Sequence, residues 1–279
     1  MIRPDERAEG AGPFTTRLTW RLAEGGSAVW ESRLARKRGV LRIHTETGVL
    51  GTPRIADDTA LHRLRTLNTV AAVAFTIGGA LFALGAAVAE VGSSGVTAIA
   101  SIYFAGGLFF NTGGYTSLLQ AINAPRRSGG TDSLVTGGWR WWSYEPARID
   151  WLSAFVLFAG TLVFGVNLLD SFLKGLSVQQ VNRLIWAPDL VGCAMFLASG
   201  HLALVEVCHG HPCWRSRSLG WWIVVVNQLG SVLFLVSALA AFTRPETGSL
   251  INTDIANWGT FAGAACFSVG GVLQLFERP

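Results

Sequence analysis

Residues 259–277 read GTFAGAACFSVGGVLQLFE. Only the last of them, Glu277, carries a formal charge. Gly263, Phe267 and Gly271 follow one another in steps of four, which sets all three on one face of a helix. A half-buried strand would alternate apolar and polar residues, and a helix on the surface of a soluble domain would carry a charged face. Neither pattern is present. An apolar stretch of this length predicts a membrane-spanning helix, since about 20 mostly apolar residues cover the roughly 30 Å of hydrocarbon in a bilayer.

Working outward, the same pattern occurs twice upstream. Gly106, Phe110, Gly114 and Gln120 have the spacing of Gly263, Phe267, Gly271 and Glu277, and so do Gly192, Phe196, Gly200 and Glu206. A shorter pattern precedes each: Gly78 and Phe82, Gly160 and Phe164, Gly230 and Phe234. Trp151 and Trp221 each stand nine residues before the glycine of theirs. Six apolar stretches result, at 67–91, 96–123, 151–174, 186–208, 220–243 and 255–277. Half of the chain is hydrophobic and 14% is charged, against about 25% charged in a soluble domain. Barrel strands would be shorter and alternating, so helices are expected.

The expected fold is an all-α integral membrane protein of six transmembrane helices. They form three parallel helical-hairpin repeats with approximate threefold pseudo-symmetry: 67–123, 151–208 and 220–279. Segments 124–150 and 209–219 become cytoplasmic loops. The Gly-x3-Phe-x3-Gly face reads as helix packing, because small residues let helices approach closely in lipid. The alternative reading has these glycines lining a path.

Nineteen of the 22 Lys and Arg residues fall in the N-terminal 66 residues, the two loops and the C-terminal tail. Positive charge is retained on the cytoplasmic side, so both termini are expected there. Trp139, Trp141, Trp142, Trp151, Trp214, Trp221 and Trp222 should mark the inner interface, and Trp186 and Trp258 the outer. Residues 1–66 show no signal-peptide pattern. They read as a basic, partly ordered cytoplasmic arm rather than a folded domain, with ESRLARKRG (31–39) as one or two helical turns and VLRIHTE (40–46) as a short strand. Arg36, Lys37 and Arg38 would suit anionic lipid head groups.

The hairpins, above all 220–277 with NQLGSVLFLVSAL and the stretch quoted first, resemble the two-helix YrhK-like domain of bacterial membrane proteins. The membrane part as a whole resembles uncharacterised bacterial six-span proteins that contain it. The resemblance implies an integral membrane bundle of hairpins and transfers no activity. With the arginine-rich usage, it implies the bacterial inner membrane.

Candidate polar residues are few. Gln120, Glu206 and Glu277 occupy equivalent positions at the ends of the three repeats. They read as helix-end polarity, or as a ring around the inner mouth of a pathway. His201 lies deeper, and Tyr115 is its counterpart in the first repeat; Asn111 is an interhelical bonding candidate. Residues 206–215, EVCHGHPCWR, gather Cys208, His209, His211 and Cys213 in six positions. Thiolate and imidazole suit zinc or copper, but four ligands in six residues crowd one ion. A reducing compartment disfavours a permanent disulfide. An interfacial turn through Gly210 and Pro212 is the plainer reading.

No phosphate-binding loop, HExxH or GxSxG is present, so neither an enzyme nor a resident cofactor is expected. Nucleic-acid binding is not indicated either. The expected partners are the lipid bilayer and a membrane protein or second copy. The expected role is structural, accessory or partner-binding; the alternatives are a small-solute or ion transporter along the pseudo-threefold axis, and metal handling.

Overall fold

A computed structural model describes residues 6–92, 95–127, 133–135 and 137–277. Its main feature is six helices long and apolar enough to cross a membrane: α2 (Asp58–Val91), α3 (Val96–Ile122), α4 (Ile149–Asp170), α6 (Ala187–Cys208), α7 (Leu219–Ala240) and α8 (Thr253–Phe276). That is the architecture of a polytopic membrane protein. The fourth crossing starts earlier than the sequence predicts, with α5 (Val178–Gln180) and a π-helical stretch, Val181–Trp186, running into α6. Pro188, near the start of α6, has no N–H and crowds the turn before it; a π turn is a local way to absorb that defect. Asp57 caps α2 by accepting from the Ala60 N–H at 3.0 Å, which places its start nine residues before the predicted one.

The six helices close into a ring. Helix α2 packs on α3 and α8, α4 on α3 and α6, and α7 on α6 and α8. The glycines explain how close these contacts are. A methyl group added at Gly106 would stand 3.2 Å from the Gly78 carbonyl oxygen, at Gly192 3.2 Å from that of Gly160, and at Gly263 3.0 Å from that of Gly230. The later glycines face a different neighbour: Gly114 meets Phe158 and Thr161 of α4, Gly200 meets Gln228 of α7, and Gly271 meets Thr76 of α2. One glycine thus serves the contact within each pair of helices and the other serves the contact to the next pair.

Phenylalanine fills the centre. Phe110, Phe196 and Phe267 are mutual neighbours, with ring centroids 5.5, 6.1 and 6.4 Å apart. Phe82 adds an edge-on layer against Phe110, Phe164 and Phe234. Edge-to-face ring pairs of this kind contribute about 0.5–1.5 kcal/mol each beyond their buried area. All six rings are buried.

The N-terminal segment differs from the partly ordered arm expected. Strands β1 (Arg7–Ala11), β2 (Phe14–Arg21), β3 (Ser27–Glu31), β4 (Val40–His44) and β5 (Arg54–Ile55) form one antiparallel sheet in sequence order. Helix α1 (Ser32–Arg38) is inserted between β3 and β4. Both the predicted helix and the predicted strand at 40–46 are therefore present. The sheet has its own core of Trp20, Leu22, Ala28 and Leu41, closed by Ala35 of α1, Ala60 of α2 and Leu134. Most of this core comes from outside the five strands, so local composition does not reveal it. In the loop after α3, β6 (Arg126–Arg127) pairs with β7 (Leu134–Val135).

The tryptophans divide. Trp141, Trp142, Trp214, Trp222 and Trp258 are exposed, as an interfacial belt requires. Trp151 and Trp221 are not: Trp151 stacks on Phe155 at 4.9 Å, and Trp221 packs between Trp214 and Trp222. These two belong to the helix contacts rather than to the belt.

Candidate functional site

Helix α1 sits across the end of the bundle that faces the sheet. It is two turns long, and Gly39, at φ +62°, ends it by donating its N–H to the Ala35 carbonyl. Arg33, Arg36 and Lys37 fall three and four residues apart, so one face presents all three cations. Each reaches a different part of the bundle. Arg33 donates to both carboxylate oxygens of Glu277, at 3.1 and 2.8 Å. Arg36 donates to Glu206 at 3.0 Å and lies 4.0 Å from Asp150. Lys37 donates to the Asn68 side-chain oxygen at 3.0 Å. Ser32 adds a bond to Glu206 at 2.7 Å.

The acceptors belong to one polar layer. Asn68 also takes a bond from Gln274 and gives its amide to the Gln274 and Glu277 carbonyls. Gln120 donates to the Leu64 carbonyl at 3.3 Å. Gln120, Glu206 and Glu277 are 0%, 1% and 4% exposed. They do not reach out to an interface as helix-end groups would; α1 and the helices cover them. Burying Glu206 and Glu277 is tolerated because each is paired with a guanidinium. For Arg36, burial opposes the charged form, but Glu206, then Asp150 and Glu277, outweigh it and hold its pKa above the usual value. Among the described residues Lys37 has no carboxylate within ion-pair distance: burial, then Arg36, lower its pKa to about 7.

Between α1 and the phenylalanine centre lies a cavity of about 100 Å³. Phe75, Phe196 and Phe267 line its deep side, and Arg33, Arg36 and Lys37 its α1 side. Ser153 and Ser199, bonded to each other's backbone, form part of its wall. A water molecule takes about 30 Å³ of liquid volume, so the space suits a few waters or one small polar solute.

The other candidates lie apart from this layer. His201 is exposed on the outer surface of α6 and does not line the cavity, so it does not join Gln120, Glu206 and Glu277. Side chains on one helix face repeat every three to four residues, and His201 is five positions before Glu206, which turns it outward. Tyr115 packs on Phe158 and bonds the Trp141 carbonyl at 3.4 Å. Asn111 bonds back to Gly107 of its own helix. Arg36 and Lys37 are turned into the bundle; of the cluster Arg36-Lys37-Arg38, only Arg38 is exposed.

The Cys-His cluster is a turn with a bond across it. Cys208 and Cys213 form a disulfide, contrary to the expectation of free thiols, with Cα atoms 5.4 Å apart. The fold-back after α6 brings them within the 4.4–6.8 Å range such a bond requires. His209 holds φ +53° at the end of α6 and bonds Thr16 of β2 at 2.9 Å. Burial lowers its pKa. His211 is exposed. Among the described residues no group of three or more His, Cys, Asp or Glu side chains could hold a metal ion. Zinc or copper at this turn would first require reduction of the disulfide.

Sequence reasoning missed Arg33, Asn68 and Asp150, and it read Lys37 as part of a surface cluster rather than of this layer. The signal available was the spacing of the basic residues within 31–39, together with Asn68 and Asp150 standing ten residues before Gly78 and Gly160. No family model matches the chain, and neither a curated protein nor a solved structure matches it.

Proposed function

We propose that this chain is a closed, non-enzymatic bundle of the bacterial inner membrane, serving as a structural or partner-binding component. In this reading it consists of three YrhK-like hairpins about a pseudo-threefold axis, with both termini and the sheet on the cytoplasmic side. The observation that carries it is the phenylalanine centre. Phe110, Phe196 and Phe267 come from equivalent positions of the three predicted repeats, and they fill the place where an axial path would run. The charge distribution supports the orientation; the Cys208–Cys213 disulfide on the same side counts against it. The test is reconstitution of the purified chain into vesicles loaded with a pH dye or radiolabelled ions. No flux above protein-free vesicles is expected; specific, saturable flux would overturn the reading.

A second reading, a small-solute or ion transporter, is favoured by the cavity beneath α1. It has polar walls and basic residues on one side, and α1 and the phenylalanines would act as its two gates. The discriminating variant is Phe110→Ala with Phe267→Ala in the same vesicles. A transporter should leak or speed up with these rings removed, whereas a packing core should only lose stability.

A further inference from the structure

A second cavity, of about 380 Å³, lies on the outer side of α1, between α1, β4 and the turn that opens α7. Its charges do not balance. Three carboxylates line it, and each already has a guanidinium: Glu31 takes Arg42 at 3.2 Å, Glu206 takes Arg36 at 3.0 Å, and Glu277 takes Arg33 at 2.8 Å. Lys37, Arg38, Arg215 and Arg217 line it too. None of these four has an ion pair among the described residues. Arg38, Arg215 and Arg217 are exposed, while Lys37 is 5% exposed and sits at the base of the space.

The surroundings indicate what would complete the site. Leu219 and Gly220, the first turn of the 22-residue α7, form part of the wall, and the start of a helix favours an anion. Trp214 and Trp222 flank the same turn and are exposed, with the Trp222 indole holding the Ser216 carbonyl at 2.8 Å. Exposed indoles beside a membrane helix favour the head-group depth of a bilayer. A buried lysine held near neutrality by desolvation and by Arg36 gains a counter-charge when an anion enters.

We propose that this groove binds the phosphate of an anionic lipid head group, with Arg215 and Arg217 as the outer clamp and Lys37 as the inner cation. The proposal rests on this end of the bundle lying at the membrane surface. It does not depend on whether the bundle conducts.

The test is native mass spectrometry of the full chain in detergent micelles, with phosphatidylglycerol or phosphatidylcholine added. The wild type should retain phosphatidylglycerol in clear preference. Each cation near the surface contributes about 1 kcal/mol toward an anionic lipid, so Arg215→Ala with Arg217→Ala should weaken retention about thirtyfold. Lys37→Met should weaken it with the exposed clamp intact. Arg21→Ala, on the sheet away from the groove, should leave it unchanged. Equal retention of the two lipids, or retention indifferent to Arg215 and Arg217, would overturn the proposal. Inorganic phosphate is added in a separate arm. Lipid displacement by phosphate alone, lost in the same double variant, would assign the site to a free anion and overturn the lipid source. Extraction of the chain into buffer without detergent would sink the membrane reading and overturn the lipid assignment with it.

Discussion

Arg36 and Glu206 meet at 3.0 Å although 170 residues separate them in the chain, and both side chains are buried. The pair joins the N-terminal helix to the fourth crossing. Removing one partner leaves an uncompensated charge in the interior, which costs about 3–5 kcal/mol, whereas replacing both with apolar groups is often neutral. Glu206→Leu or Arg36→Met alone should therefore destabilise the protein by that amount, and Arg36→Met with Glu206→Leu should recover most of it. Unfolding in mixed micelles measures all four corners of the cycle; equal losses in the single and double variants would remove the pair from the account.

Arg33 and Glu277 tie the same helix to the end of α8. Arg33→Glu should detach α1 and open the chain near Arg38 to trypsin. Arg33→Glu with Glu277→Arg should restore protection. Digestion rates in detergent, followed by mass, check this; unchanged rates in the single variant would contradict it.

Lys37 predicts a pH dependence of definite sign. Its pKa is lowered to about 7 in the folded protein, against about 10.4 for a free lysine. Burial is the main cause; Arg36 and Arg33 add to it, and Glu277 and Glu206 oppose it. Between those two values the unfolded chain binds the proton and the folded chain does not, so stability rises with pH across that window and is lowest below it. Lys37→Met should flatten this rise. Denaturation midpoints of both proteins at a series of pH values, lipid absent, give the comparison, and parallel curves would exclude Lys37 as the source.

The central rings predict a core effect. Phe267→Ala removes a side chain in contact with Phe110, Phe196 and Phe234 and should cost about 3–5 kcal/mol. An outward apolar residue such as Leu229, changed to Ala, should cost far less. The difference is read from thermal unfolding of the two variants side by side.

The Cys208–Cys213 bond closes a short loop, and chain-entropy arguments give about 2 kcal/mol for a loop of this size. Reductant should lower the melting temperature of the wild type and leave Cys208→Ser with Cys213→Ser unchanged. Alkylation mass shifts before and after reduction report the two thiols directly.

The six crossings were legible because each needs only a local excess of apolar residues, and all six appear where the pattern places them, though α2 and the fourth crossing begin nine and eight residues early. The glycines and phenylalanines were legible as packing groups for the same reason. The sheet was not, because Trp20 and Leu41 find their core partners on α2 and at Leu134, which no window of sequence contains. The polar layer was half legible. The spacing of Gln120, Glu206 and Glu277 marks three buried polar groups, but the pairing of Glu206 and Glu277 depends on a short helix whose basic face reads, in isolation, as a solvent-facing or lipid-facing surface. His201, read as a deeper polar or interhelical candidate, is exposed because of its angular position on α6.

The three cations of α1 also impose an order on biogenesis. Asn68 is near the start of the first crossing, Glu206 is near the end of the fourth, and Glu277 follows the sixth. Ribosomes deliver these partners at widely different times, and Arg33 has to wait for the last of them. The N-terminal helix therefore latches only when insertion is complete. A chain that loses its final helix leaves Arg33 without Glu277.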